Sequence, residues 1–191
     1  MNERLYNESI ILIGPSGAGK STVAEELHQI TKMPRLCLDQ IANRARKTGF
    51  KYKFKSADAF NCYMISEVLK QAQENNMYGI VDFGAGHSVY DDILIFEEVK
   101  SMLLPFKNII LLLPCQDEIE ALDIMEKRST GDTRDNKKFF ESPCNKELAT
   151  MIIYENGRQP SEIAEEIILR IKEKTGRINT INNTSLLREK L

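Results

Sequence analysis

Near the start of the chain, Gly14-Pro15-Ser16-Gly17-Ala18-Gly19-Lys20-Ser21 has the residue types and the spacing, G-x-x-x-x-G-K-[ST], of a loop that holds a polyphosphate. Glycines let the backbone come close enough for successive N–H groups to close on phosphate oxygens, and a helix starting at the loop adds the positive end of its dipole. Lys20 supplies a mobile cation for the β- and γ-phosphates, the Ser21 hydroxyl a ligand for Mg²⁺, and Thr22 carries the cradle into the helix. ATP and Mg²⁺ are the expected cofactors. A second acidic group fits this chemistry. Asp82 ends the apolar stretch Gly79-Ile80-Val81, where it either holds the water shell of Mg²⁺ beside Ser21 or caps the turn that follows.

Such residues need a scaffold that brings them to one edge. The loop leaves the apolar run Ser9-Ile10-Ile11-Leu12-Ile13 and enters a pattern in which Val23, Leu27 and Ile30 recur at helical spacing. Four more strands are expected at 35–38, 78–83, 107–113 and 150–154. The run Ile109-Ile110-Leu111-Leu112-Leu113 reads as buried on both faces. Helical segments fall between them at 57–73, 91–104 (stopped by Pro105) and 117–128. A last helix opens at Pro160 with Ile163, Ile167 and Ile171 on one face. Alternation of this kind predicts a three-layer α/β/α domain on a five-stranded parallel sheet, its ligands beyond the carboxyl ends of the strands, where Gly14, Asp39, Asp82 and Gly84 emerge.

The chain has 191 residues, 42% of them hydrophobic, which is enough for one domain with a real core. Residues 1–174 are expected to form it, and the polar, asparagine-rich stretch 175–191 to be a tail with room for one short helix at Ser185-Leu186-Leu187. A formal charge of −2 gives no global attraction to nucleic acid or membrane. No apolar run is long enough to cross a bilayer, and residues 1–8 are too polar for a secretory signal. The expected location is the cytoplasm, as a monomer or homodimer with a small-molecule acceptor and no membrane or nucleic-acid partner. Cys37, Cys62, Cys115 and Cys144 are far apart and read as reduced core residues rather than a zinc site or disulfide framework.

From about Ser9 to Lys174 the chain resembles small-molecule kinases of the nucleoside monophosphate kinase type, and it is most similar to the shikimate kinases. The phosphate loop, Asp39-Gln40 after the second strand, Gly84-Ala85-Gly86 in place of the family's triple glycine, Arg128, the polar segment 129–138 and Tyr154 to Glu162 follow in the family's order. The resemblance implies that Asp39 is the general base toward an acceptor hydroxyl, although it could equally cap the helix of Ile41, Ala42 and Ala45. It also implies that Arg128, Arg158 and Pro160 lie on the adenine side, that 129–138 is a mobile lid, and that 39–75 holds the acceptor-binding region. Arg134 is the candidate to close over the phosphates, with Arg128, Lys137 and Lys138 as further cations. His87 follows the glycine loop and faces the acceptor or enters a helix, while His28 reads as structural or exposed.

The departures bear on substrate. Where the family carries an arginine after phenylalanine this chain reads Phe60-Asn61, and Glu141 stands at the second arginine position, so a carboxylate loses two charge-assisted partners. Cys37 replaces the first member of the family's Asp-x-Asp. Arg44 to Lys55 carries six cations and no carboxylate, its rings and lysines alternating as an extended strand would present them, which suits a nucleotide, a sugar phosphate or a nucleic-acid end; the other reading is a solvated loop whose aromatics cover the core. Two functions fit these features. One is an ATP-dependent phosphotransferase acting on a nucleoside, nucleotide or sugar-like acceptor other than shikimate. The other is a nucleotide-dependent regulatory switch with a degenerate acceptor pocket.

Overall fold

The computed structural model describes residues 3–75, 77–128 and 135–188, with side chains between Tyr6 and Lys174. Its centre is a five-stranded sheet of β1 (Ile10–Ile13), β2 (Arg35–Cys37), β3 (Ile80–Asp82), β4 (Ile109–Leu113) and β5 (Met151–Tyr154). The order is β2-β3-β1-β4-β5, and every pairing is parallel. Strand residues alternate faces, so the apolar runs of β1 and β4 build two cores at once. Ile11, Ile13, Ile109, Leu111 and Leu113 belong to one cluster, Ile10, Leu12, Ile110 and Leu112 to the other. The first is covered by residues of α3 (Leu38–Lys47), α4 (Ala57–Glu74), α5 (Ile93–Leu103) and α8 (Pro143–Leu148). The second is covered by α2 (Lys20–Thr31) and α9 (Pro160–Arg188), through Val23, Leu27, Ile163 and Ile167. Three layers result.

The expected strands and helices are all present, with ends that move by up to two residues. Ile30 is exposed, because the buried stripe of α2 runs through Val23, Ala24 and Leu27 and stops there. Helix α1 (Glu3–Glu8) was not legible in a polar stretch of this length; Tyr6 holds it to the core with an edge contact on Phe106. Between α6 (Glu118–Arg128) and β5 stand α7 (Asn136–Glu141) and α8, the latter started by Ser142, whose side chain accepts from the Cys144 N–H, and by Pro143 in its first turn.

Two further expectations are corrected. The segment 44–55 is not extended. Arg44, Arg46 and Lys47 end helix α3, then Gly49 (φ 78°) turns the chain into a 3₁₀ turn at Phe50–Lys53. Of the two readings of this stretch, the loop whose aromatics cover the core is the one found: Phe50 and Phe54 pack on it, and Phe54 lies against Phe50, Phe60 and Tyr63 with centroids 5.4, 5.5 and 5.1 Å away. Nor is there a break at 175. Helix α9 runs on to Arg188, since the lone Gly176 costs a helix only about 1 kcal/mol.

Ile110 is fully buried at the middle of the sheet, between β1 and β5. Ile110→Ala is expected to lower stability by about 2–5 kcal/mol, read as a lower urea midpoint at unchanged m-value.

Candidate active site

Lys20 opens α2 and is only 7% exposed; its Nζ donates to the Pro15 carbonyl at 2.7 Å, folding the ammonium back over the loop. Burial lowers its pKa, while Asp82, Asp39 and Glu155 nearby pull it upward. Gly19 precedes it in the left-handed region (φ 70°), and any side chain there would run into the Glu155 carboxylate. Glu155, buried just past β5, is ion-paired with Arg128 at the end of α6. The loop, Arg128 and Glu155 are thus fastened together.

Across the sheet edge, Leu12, Asp82 and Cys37 lie side by side in register. Asp82 is buried, and its Oδ2 accepts from Arg35 Nη2 at 3.2 Å. Arg35 starts β2 two residues before Cys37, so it reaches Asp82 diagonally on the same face, and its other terminal nitrogen donates to Glu25 at 3.0 Å. Cys37 occupies the cap position of α3, which places Asp39 inside the first helical turn rather than at the cap. Asp39 is half exposed and packs on Gly84 so closely that a side chain at position 84 would occupy the space of its carboxylate.

These groups border one open cleft of about 970 Å³. Ser16, Gly17, Gly19, Lys20, Ser21 and Thr22 form its floor; Cys37, Asp39, Asp82, Gly84 and Ala85 form one wall; Arg128, Glu155, Arg158 and Pro160 form the other. Gly14, Pro15 and the buried Ala18 shape the loop without bordering the cleft. Asn61, Gly86 and His87 stand behind the acceptor-side wall: Asn61 Nδ2 donates to the Gly86 carbonyl at 2.8 Å, and its Oδ1 accepts from Arg46 at 3.1 Å. Cys37 is the one of the four cysteines not buried in the core; all four are free.

Other expected residues are placed differently. Glu141 borders a separate cleft with Tyr90 and Cys144, 3.7 Å from Lys137. Of the cations expected to gather at the lid, Lys138 is paired with Asp91 at 2.6 Å, Lys137 with Glu118 at 3.5 Å and Arg128 with Glu155, while Arg158, expected on the adenine side, is paired with Glu166. Arg134 and the rest of 129–134 lie outside the described residues. Arg35, Arg46 and Glu155 were missed in the sequence. Only Arg46 carried a signal, in its carboxylate-free run.

The loop fits a nucleoside triphosphate by its donor set: a buried ammonium, the Ser21 hydroxyl at the cleft and a carboxylate behind it at Asp82. The shikimate kinase of Enterococcus faecalis is 31% identical over 175 residues, which cover 87% of this chain and 99% of that protein. This chain belongs to the shikimate kinase family. The shikimate kinase of Rhodococcus jostii is 24% identical, covering 85% of this chain and 97% of that one, and a family model described as an AAA domain matches residues 10–86. Among solved structures, a shikimate kinase from Acinetobacter baumannii in complex with shikimate superposes with TM-score 0.63 at 18% identity, covering 87% of this chain and 93% of that one. A gluconokinase from Sinorhizobium meliloti gives 0.59 at 14%, covering 93% and 98%. At those identities the likeness is one of fold. As a member of the shikimate kinase family the chain is a P-loop kinase, of a type that uses ATP, typically with Mg²⁺. Among the described residues no helix is long and apolar enough to cross a membrane.

His87 is 1% exposed, with neither ring nitrogen hydrogen-bonded. Burial, aided by the charges of Arg46 and Lys20, lowers its pKa from 6.5 to about 4. Between those values the unfolded chain binds the proton and the folded chain does not. The stability tied to His87 is therefore complete above pH 6.5 and falls as the pH drops toward 4, by about 3 kcal/mol in all. Urea unfolding at pH 7 and pH 4 is expected to show His87→Gln losing less stability than the parent by roughly that amount.

Proposed function

We propose that this kinase transfers the γ-phosphoryl group of ATP to a small-molecule acceptor other than shikimate, of the nucleoside, nucleotide or sugar-like class. The observation that carries the reading is Asn61. It stands where shikimate kinases have a carboxylate-binding arginine, and both ends of its amide are already engaged, by Gly86 and Arg46. Glu141, at the second arginine position, faces another cleft and sits beside Lys137.

The residues around this altered pocket suit the transfer. ATP would supply the phosphoryl group, and Mg²⁺, held on the side of Ser21 and Asp82, would neutralise phosphate charge. Lys20 leaves the Pro15 carbonyl for the phosphate oxygens, and Ser21 with Asp82 orients the metal side. Asp39, half exposed and held against Gly84, receives the proton of the acceptor hydroxyl as that oxygen bonds to phosphorus and the bond to ADP breaks. Arg128 and Arg134 neutralise charge as the lid closes, Arg128 by exchanging Glu155 for the nucleotide. The protein acts as a cytoplasmic monomer or homodimer.

Screening a metabolite library for acceptor-dependent ADP release tests the reading. At least one nucleoside, nucleotide or sugar-like compound is expected to stimulate release, whereas millimolar shikimate neither does so nor raises the melting temperature beside an ATP analogue. Phosphorylation of shikimate would overturn the proposal.

Two substitutions separate the roles. Lys20→Ala is expected to cut kcat by about a hundred- to a thousandfold with an unchanged circular dichroism spectrum. Asp39→Asn keeps the shape but removes the basicity, so kcat should fall with little change in KM for ATP. Asp82→Asn should shift the Mg²⁺ dependence instead, and a magnesium titration of both variants distinguishes base from metal holder.

A further inference from the structure

Arg46 lies in the last turn of α3, half buried, one hydrogen bond behind the cleft that Asn43 borders, and its two hydrogen bonds go to neutral amides. Nη1 donates to Asn43 Oδ1 at 2.9 Å and Nη2 to Asn61 Oδ1 at 3.1 Å. Among the described residues no carboxylate pairs with it. A guanidinium has five N–H donors, so most of its capacity is unspent, and removing a lone cation from water without a counter-charge is costly. The side chain is nonetheless held in place. Its guanidinium carbon stands 5.0 Å from the centroid of the Phe60 ring, which packs on Phe54.

Three surroundings make this cation a receiver of anions. Asn43, its partner, borders the cleft that also holds Asp39 and Lys20. Asn61 ties Arg46 to the Gly84–His87 loop by donating to Gly86, beside the fully buried His87, whose ring nitrogens have no partner and whose Nδ1 is 3.7 Å from Asp39. The chain from residue 40 to 57 carries Arg44, Arg46, Lys47, Lys51, Lys53 and Lys55 and no acid, so the stretch that follows Asn43 is locally positive. Folding alone gives no reason to leave an arginine unpaired in such a stretch.

We infer that Arg46 is the acceptor's anion-binding residue, holding a carboxylate or phosphate group of the small molecule whose hydroxyl faces Asp39. The inference rests on the phosphotransferase reading and narrows its acceptor class to anions. It also moves the cationic recognition point from α4, where the family's arginine would stand, to α3.

The test uses the full chain with the P-loop saturated by a non-hydrolysable ATP analogue, so that added anions report on another site. Matched pairs are offered: gluconate and glucose for the carboxylate, ribose 5-phosphate and ribose for the phosphate, with shikimate as a further carboxylate. At least one anion is expected to raise the melting temperature while its neutral partner does not, and the source of the anion is read from which pair responds. Arg46→Gln should weaken that binding by about ten- to a hundredfold, and Arg46→Lys, which keeps the charge but not the fork, should restore part of it. Circular dichroism verifies folding of both variants. No shift with any anion, equal shifts from neutral partners, or unchanged affinity in folded Arg46→Gln would overturn the inference. Turnover of the same panel separates the two claims. Anions that bind through Arg46 without accelerating ADP release would sink the phosphotransferase reading and leave the anion site standing. A neutral acceptor turned over with Arg46 irrelevant would do the reverse.

Discussion

A positive charge buried at the edge of a parallel sheet organises this molecule. The ammonium of Lys20 has little access to water, and burial works against its charged form. Three acids from three strand ends compensate: Asp39 after β2, Asp82 at the end of β3 and Glu155 after β5. Because β1 lies at the centre of the sheet, acids from strands on both sides of it can approach its loop. Each acid then needs its own counter-charge, which is why Asp82 is matched by Arg35 and Glu155 by Arg128. Asp39 remains half open, and among the described residues no arginine or lysine is ion-paired with it.

The two walls of the cleft differ in how they are fixed. On the wall of Arg128 and Arg158, ion pairs between long side chains hold the parts together, Arg128 with Glu155 and Arg158 with Glu166. Behind the wall of Asp39 and Gly84, rings and amides do the fixing: Phe50, Phe54, Phe60 and Tyr63 pack on one another, and Asn43 and Asn61 hold Arg46. One wall is fastened by charge and the other by packing.

Local chemistry made the framework legible before any coordinates. The glycine spacing and Lys20 marked the loop, the runs at Ile10 and Ile109 marked central strands, and Pro160 marked the start of the last helix. Reading failed where a residue's role depends on a partner distant in sequence. Arg35 looks like an ordinary strand charge until β2 pairs with β3 and brings it to Asp82. Glu155 acquires meaning only when β5 lands next to β4 and carries it to Gly19. The alternation of lysines and rings after Arg44 left two readings open, because period two also arises in a tight turn whose rings are drawn into a core, and no local signal separates the two.

The contact between Asp39 and Gly84 restricts the order in which this pocket could change over generations. A β-carbon at position 84 and a carboxylate at position 39 claim the same volume, so neither position drifts independently. A lineage that acquired a side chain at 84 would have to shorten the acid at 39 or turn its carboxylate aside, and either change moves the charge from where it now stands. The reverse path meets the same condition. Position 84 therefore acts as a latch on the carboxylate's position, and it works alike in both directions: glycine leaves the acid where it is, and any side chain displaces it.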